Sequence, residues 1–166
     1  VNIFMATGRS TQLTRQIGEH LIVAKLGRLG YIATPFAGNV PDFDLLIADD
    51  EGHSIPVQVK AINGGSWQFS ISKFLDVEIV DDIQYVKSKR KLANPNLVCV
   101  FVQLADDEKD DFFIFQLKDL QEYFSKSYKG GRRSKNPQSL HCAIIPKDLE
   151  KFRDNWSLIE ESLKSE

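Results

Sequence analysis

The run Leu97-Val98-Cys99-Val100-Phe101-Val102-Gln103-Leu104 constrains the fold more than any other segment of the chain. A strand with one face in water alternates apolar and polar side chains. A strand covered on both faces reads as an almost continuous apolar run, as this one does. Residues 97–104 are therefore expected as a central strand with a layer packed on each side. The flanking segments supply those layers. Residues 10–29 read as a helix, capped by Ser10 or Thr11 and ended by Gly30, with Leu13, Ile17, Leu21 and Ala24 at helical spacing. Residues 31–36, 44–49, 55–61 and 67–72 read as strands, the first stopped by Pro35 and Gly38. Residues 73–92 are the least patterned, with a helix expected over 82–91. A strand over 112–116 leads into a helix over 117–126, with Leu117, Leu120 and Phe124 on one face. After a short strand at 139–145, Pro146 opens a last helix over 147–163, with Leu149, Phe152, Trp156 and Ile159 as its apolar stripe. This order fits an α/β fold, a mixed β-sheet flanked by helices, in one domain over residues 1–166.

Polar residues inside apolar strands mark where chemistry is to be sought, because an unpaired charge or amide there is costly. Asp44 opens the strand Leu45-Leu46-Ile47, and Gln58 and Lys60 interrupt Val57-Gln58-Val59-Lys60-Ala61. Alternate strand residues share a face, so Gln58 and Lys60 point one way and Val57 and Val59 the other. Asp49-Asp50-Glu51-Gly52-His53 reads as a hairpin turn that folds Asp44 back beside them. On the first helix, Glu19 shares a face with Ile22, Val23 and Leu26, where a carboxylate needs a partner. Plainer readings exist for each residue. Asp42 and Asp44 can be turn residues after Pro41. Gln58 and Lys60 can form the wet face of a half-buried strand. Glu19 can pair with Arg15 or Lys25 on the helix surface.

Taken in order, the helix with Glu19, the strand with Asp44, the hairpin and the strand with Gln58-Val59-Lys60 resemble the PD-(D/E)xK nuclease superfamily. The match is a D…QxK variant, reading Pro41-Asp42-Phe43-Asp44 and then Gln58-Val59-Lys60. Asp44 aligns with the signature acid and Asp42 is the fallback. Gln58 departs from the usual Glu or Asp, and a neutral amide is a poorer ligand for a hard cation. The resemblance implies a restriction-endonuclease-like αβββαβ core. It implies Asp44, Gln58, Lys60 and Glu19 as catalytic residues. It also implies a Mg²⁺ or Mn²⁺ site from Asp44, Glu19, Gln58 and the backbone carbonyl of Val59.

Net charge is −2, which argues against a uniformly basic nucleic-acid binder, yet the charge is patchy. Lys87-Ser88-Lys89-Arg90-Lys91 is basic, and residues 126–135 carry five positive side chains and no acid. Gly130-Gly131 makes the second run a flexible loop, with Tyr128 as a stacking surface. Lys129, Arg132, Arg133 and Lys135 are the expected phosphate contacts there. Asp106-Asp107-Glu108-Lys109-Asp110-Asp111 is acidic and reads as a hairpin. Cys99 and Cys142 lie in apolar runs without metal-ligand spacing, so reduced core thiols and a cytoplasmic location are expected. No apolar run reaches membrane length, so no membrane partner is expected. Nucleophile-elbow, Walker and dinucleotide motifs are absent. The expectation is a metal-dependent DNA endonuclease with double-stranded DNA as its partner and a homodimer as one option. Its rivals are a nuclease-like domain that binds nucleic acid or protein without cutting, and a plain interaction domain.

Overall fold

The computed structural model describes residues 8–37 and 42–165; the expectations resting on Gly38 and Pro41 lie outside them. In chain order the elements are α1 (Gly8–Arg28), β1 (Ile32–Pro35), β2 (Leu45–Ala48), β3 (Ser54–Ile62), β4 (Trp67–Ser70), a 3₁₀ turn (Ile71–Lys73), β5 (Leu75–Val80), β6 (Ile83–Lys89), β7 (Val98–Gln103) and β8 (Asp111–Gln116). Then come α2 (Leu117–Ser127), β9 (Gly131–Arg132), β10 (His141–Ile144), a 3₁₀ segment (Pro146–Phe152) and α3 (Ser157–Leu163). The main sheet has five strands in the order β1-β2-β3-β7-β8. It is mixed: β3 and β7 are parallel, and the other neighbours are antiparallel.

The apolar run becomes β7, buried over Val98–Val102 as expected. Its alternating side chains feed two cores. Val98, Val100 and Val102 join Val57, Val59, Ile22, Leu26, Ile159 and Leu163 on one face. Cys99 and Phe101 join Trp67, Phe69, Phe115, Leu120 and Phe124 on the other. α1 meets the sheet along Gly18, Ile22 and Leu26. This differs from the expected stripe, since Leu13 and Ile17 are 47% and 46% exposed. Gly18 decides which face packs: a Cβ on it would lie 2.5 Å from Ala61 Cβ, so the absent side chain lets the helix approach β3.

Two segments depart from the expected elements. Residues 82–91 form a strand, not a helix. Asp81 and Asp82 both adopt positive φ (48° and 62°) and close a two-residue hairpin between β5 and β6, a geometry Asp tolerates better than most residues. Consequently the connection from β3 to β7 runs through β4, a 3₁₀ turn and the β5–β6 hairpin, where the αβββαβ order has a helix. The expected last helix is split into the 3₁₀ segment and α3. At the break, Arg153 bridges to Phe113 of β8 and Asp154 takes a positive φ of 50°. α2 forms as expected, with Leu120 and Phe124 buried and the Asp119 carboxylate accepting from the Gln116 backbone N–H at its start (2.9 Å).

Candidate functional site

The β2–β3 hairpin sets the site. Asp49 Oδ1 accepts the backbone N–H groups of Glu51 (3.0 Å) and His53 (2.9 Å), and Gly52 turns the chain at φ 93°. Leu45 then pairs with Val57, and the Asp44 N–H donates to the Val57 carbonyl (2.9 Å). Strand parity brings Asp44, Gln58 and Lys60 to the same face, opposite Leu45, Val57 and Val59. All three line one cleft of about 450 Å³, together with Arg15, Asp42 and Trp67. The tryptophan indole donates to the Lys60 carbonyl (3.2 Å).

Asp44 is held on both oxygens. Oδ1 accepts from the Arg15 guanidinium (2.8 Å) and Oδ2 from the Val59 backbone N–H (2.8 Å). Arg15 also donates to Glu19 Oε1 (2.9 Å), so one guanidinium bridges two carboxylates that are 13% and 18% exposed. The hydrogen bond to Glu19, reinforced by the charges of Asp44 and Glu19, raises the pKa of Arg15 above its ordinary value. Helical spacing marks Arg15 only as a surface partner for Glu19; its reach to Asp44, 29 residues on, depends on how α1 docks. Glu19 does not enter the main cleft. It lines an adjoining hollow with Arg15 and Asp44.

Lys60 lies over the Phe69 ring, 5.3 Å from its centroid. Burial, followed by the charge of nearby Lys73, pushes its pKa down, and Asp44 only partly offsets this. The site therefore holds a partly desolvated ammonium whose proton is more readily lost than that of an ordinary lysine.

The donor set can be weighed against a divalent ion. Mg²⁺ is typically held by one or two carboxylates, with waters and substrate phosphate completing the shell. Asp44 and the Gln58 amide oxygen, which share the cleft, fit that minimal pattern, and Glu19 adds a second carboxylate on the adjoining side of Asp44. Each Asp44 oxygen keeps a second lone-pair position beyond the bond it accepts. A closed protein cage is not what these residues form: among the described residues, no three His, Cys, Asp or Glu side chains are grouped so as to hold a metal ion by themselves.

The basic segment after α2 is tied down at several points. Gln84, 2% exposed, donates to the carbonyls of Pro137 (2.7 Å) and Ser139 (2.9 Å) and accepts from the Tyr128 hydroxyl. Gly131 and Arg132 pair with β6 as β9, where a free loop was expected. Tyr128 is buried, with Arg133 stacked 5.1 Å from its ring centroid, so it offers no open stacking surface. Arg132 donates to the Asp81 carbonyl (3.0 Å) and Arg133 to that of His141 (3.0 Å). Lys129 and Lys135 are exposed.

No family model and no curated protein matches this sequence. The fold is that of a mixed α/β protein similar to an endonuclease. Among solved structures it is similar to a bacterial homing endonuclease, I-Ssp6803I, with a TM-score of 0.54 and 17% identity over 95% of this chain and 97% of that one. Among the described residues, no helix is long and apolar enough to cross a membrane.

Proposed function

We propose that the protein is a divalent-metal-dependent DNA endonuclease that hydrolyses phosphodiester bonds. The observation that carries this reading is the convergence of Asp44, Gln58 and Lys60 on one cleft over the middle of the main sheet. The endonuclease-like fold supports it. In this reading Asp44, Gln58 and Glu19 would hold Mg²⁺ or Mn²⁺. The carbonyl of Val59 is a further ligand, because a strand residue projects N–H and C=O to the same side and the Val59 N–H already meets Asp44. The ion would supply charge for a phosphate oxygen and acidify a water. Lys60 orients that water or stabilises the negative charge on the phosphoryl oxygens in the transition state. The Arg15 guanidinium already offsets part of the Asp44 charge, which would make affinity for the free ion weak. Lys129, Arg132, Arg133 and Lys135 extend phosphate contacts beyond the cleft. The substrate is read as double-stranded, and a homodimer would bring a cleft to each strand.

The test is incubation with plasmid, single-stranded and branched DNA in Mg²⁺ or Mn²⁺, against chelator. Cleavage is expected only with metal. Lys60→Ala should lower turnover by roughly 10²-fold or more with little change in DNA affinity, since the group acts mainly in the transition state. A second reading rests on two observations: Arg15 neutralises Asp44, and residue 58 is a neutral amide. It is a nuclease-like domain that binds nucleic acid or a protein without cutting. Salt-sensitive DNA binding with no cleavage of any substrate would select it.

A further inference from the structure

The main cleft opens beside a second chamber of about 360 Å³, and Asp42, Gln58 and Lys60 line both. Lys60 thus stands between two spaces. The far chamber is walled by Lys73 from the 3₁₀ turn and by Arg90 and Lys91 just after β6. Its walls are fastened to one another. The Arg90 N–H donates to the Phe74 carbonyl (2.9 Å), and the Gln121 amide donates to the carbonyls of both Phe74 (2.8 Å) and Arg90 (2.7 Å). Arg90 is neutralised by Asp76 (3.0 Å). Lys60, Lys73 and Lys91 have no ion-pair partner among the described residues, and Asp42 is the one carboxylate of the lining. A pocket lined by three unpaired lysines and one acid leaves positive charge uncompensated. Such an arrangement concentrates anions and is relieved by one.

We infer that this second chamber binds a phosphate of the nucleic-acid strand next to the phosphate held in the main cleft, with Lys73 and Lys91 as its cations. The inference rests on the reading that the main cleft takes a phosphodiester, whether cut or only held. Connectivity favours a polymer over a free anion. The two chambers adjoin through Lys60, and consecutive phosphates of one strand are the ligand that fills neighbouring anion sites together. The apolar floor, with Phe69 and Phe74, offers a phosphate no competing hydrogen bonds but suits the sugar between phosphates.

The experiment compares wild type with Lys73→Ala/Lys91→Ala and with Lys109→Ala, a control in the acidic loop whose ammonium already meets Asp107 (3.2 Å). Binding of fluorescent duplex and single-stranded DNA is followed by anisotropy, without metal, from 50 to 200 mM salt. Melting temperatures verify that each variant is folded. The double variant is expected to bind about tenfold more weakly at the lowest salt, with the log–log salt slope reduced by about one unit for each phosphate no longer neutralised. The control should match wild type. Unchanged affinity and slope in the double variant would overturn the inference. So would calorimetric binding of inorganic phosphate that depends on Lys73 and Lys91 while DNA binding does not, which would mark a free-phosphate site. Cleavage by the double variant reports separately. If no protein cuts DNA but the salt slope still falls, the chamber stands and the endonuclease reading fails. If wild type cuts and the slope is unmoved, the chamber fails and the endonuclease reading stands.

Discussion

Arg15 and Lys60 are the two cations that decide what the cleft does, and they act in opposite senses. Arg15 satisfies Asp44 and Glu19 together, and its charge would oppose a metal ion held by the same carboxylates. Replacing it with glutamine removes a positive charge a few ångströms from the candidate ligands. At the high effective dielectric of a surface site this is worth about 1 kcal/mol. Arg15→Gln should therefore raise Mn²⁺ affinity roughly fivefold by calorimetry. An unchanged or lower affinity would show that Arg15 supports the site rather than competing for it. Lys60 is a charge held in a partly dry place over an aromatic ring, and both burial and Lys73 oppose its protonation. Lys60→Met should remove that opposition, raising the melting temperature by about 2–4 °C for each ~1 kcal/mol gained, while abolishing cleavage. At this scale the sequence was readable where period-2 alternation alone places a side chain, as for Asp44, Gln58 and Lys60. Arg15 was not readable in its full role, because a contact across 29 residues is set by helix docking. Lys73 is not legible in the sequence because a three-residue 3₁₀ turn has no periodic signature.

At the scale of elements, the β2–β3 hairpin sets the separation of Asp44 from Gln58, and its turn carries a pH-sensitive pair. His53 Nδ1 meets Asp49 Oδ2 at 2.8 Å. The hydrogen bond and the charge of Asp49 raise the His53 pKa. Desolvation alone would raise Asp49; the bonds from the His53 ring and backbone outweigh it, and the carboxyl sits below its usual range. For a raised histidine, the stabilisation is complete below its unfolded value and disappears as pH rises through the folded one. For a lowered aspartate, it is present above the unfolded value and disappears as pH falls through the folded one. The pair should contribute most near about pH 5. The melting-temperature gap between wild type and His53→Gln should be widest there and close by about pH 8–9. A gap independent of pH would refute the pairing. The α1–β3 contact makes a second demand. Gly18→Val should destabilise by roughly 1–3 kcal/mol through overpacking against Ala61, and Ala61→Gly should recover part of that stability in the double variant. The hairpin was legible because Asp49 and Gly52 bear turn chemistry. Residues 82–91 were not, because the deciding feature is a pair of aspartates at positive φ, which sequence does not advertise as glycine would. The 147–163 stripe faces the core at Leu149 and Ile159 as its spacing implies, but the same spacing is satisfied by two short helical pieces with a bridge to β8 between them.

At the scale of the whole molecule, the feature read first from sequence, a strand apolar on both faces, explains why the fold has two cores and why they belong together. β7 places Phe101 in one and Val100 in the other, so neither core can open without exposing the back of the same strand. What the sequence did not convey is the route between β3 and β7. Parallel pairing demands a long crossover, and the period of residues 73–92 does not reveal that a hairpin serves where a helix was expected. The candidate site lies on the Phe101 side, where β3 presents Gln58 and Lys60 beside β7, so its geometry depends on the two cores staying locked. The chain carries two tryptophans that report on them separately: Trp67 is 2% exposed in the Phe101 core, and Trp156 packs against the Val100 core. We therefore expect Trp67→Phe and Trp156→Phe, each leaving one tryptophan, to show within each variant a tryptophan-fluorescence transition in denaturant that coincides with its far-ultraviolet circular dichroism. Phe101→Ala should move both probes together, costing roughly 3–5 kcal/mol. If the Trp67 signal shifts and the Trp156 signal stays, the cores unfold independently, β7 does not couple them, and the one-domain expectation over residues 1–166 fails.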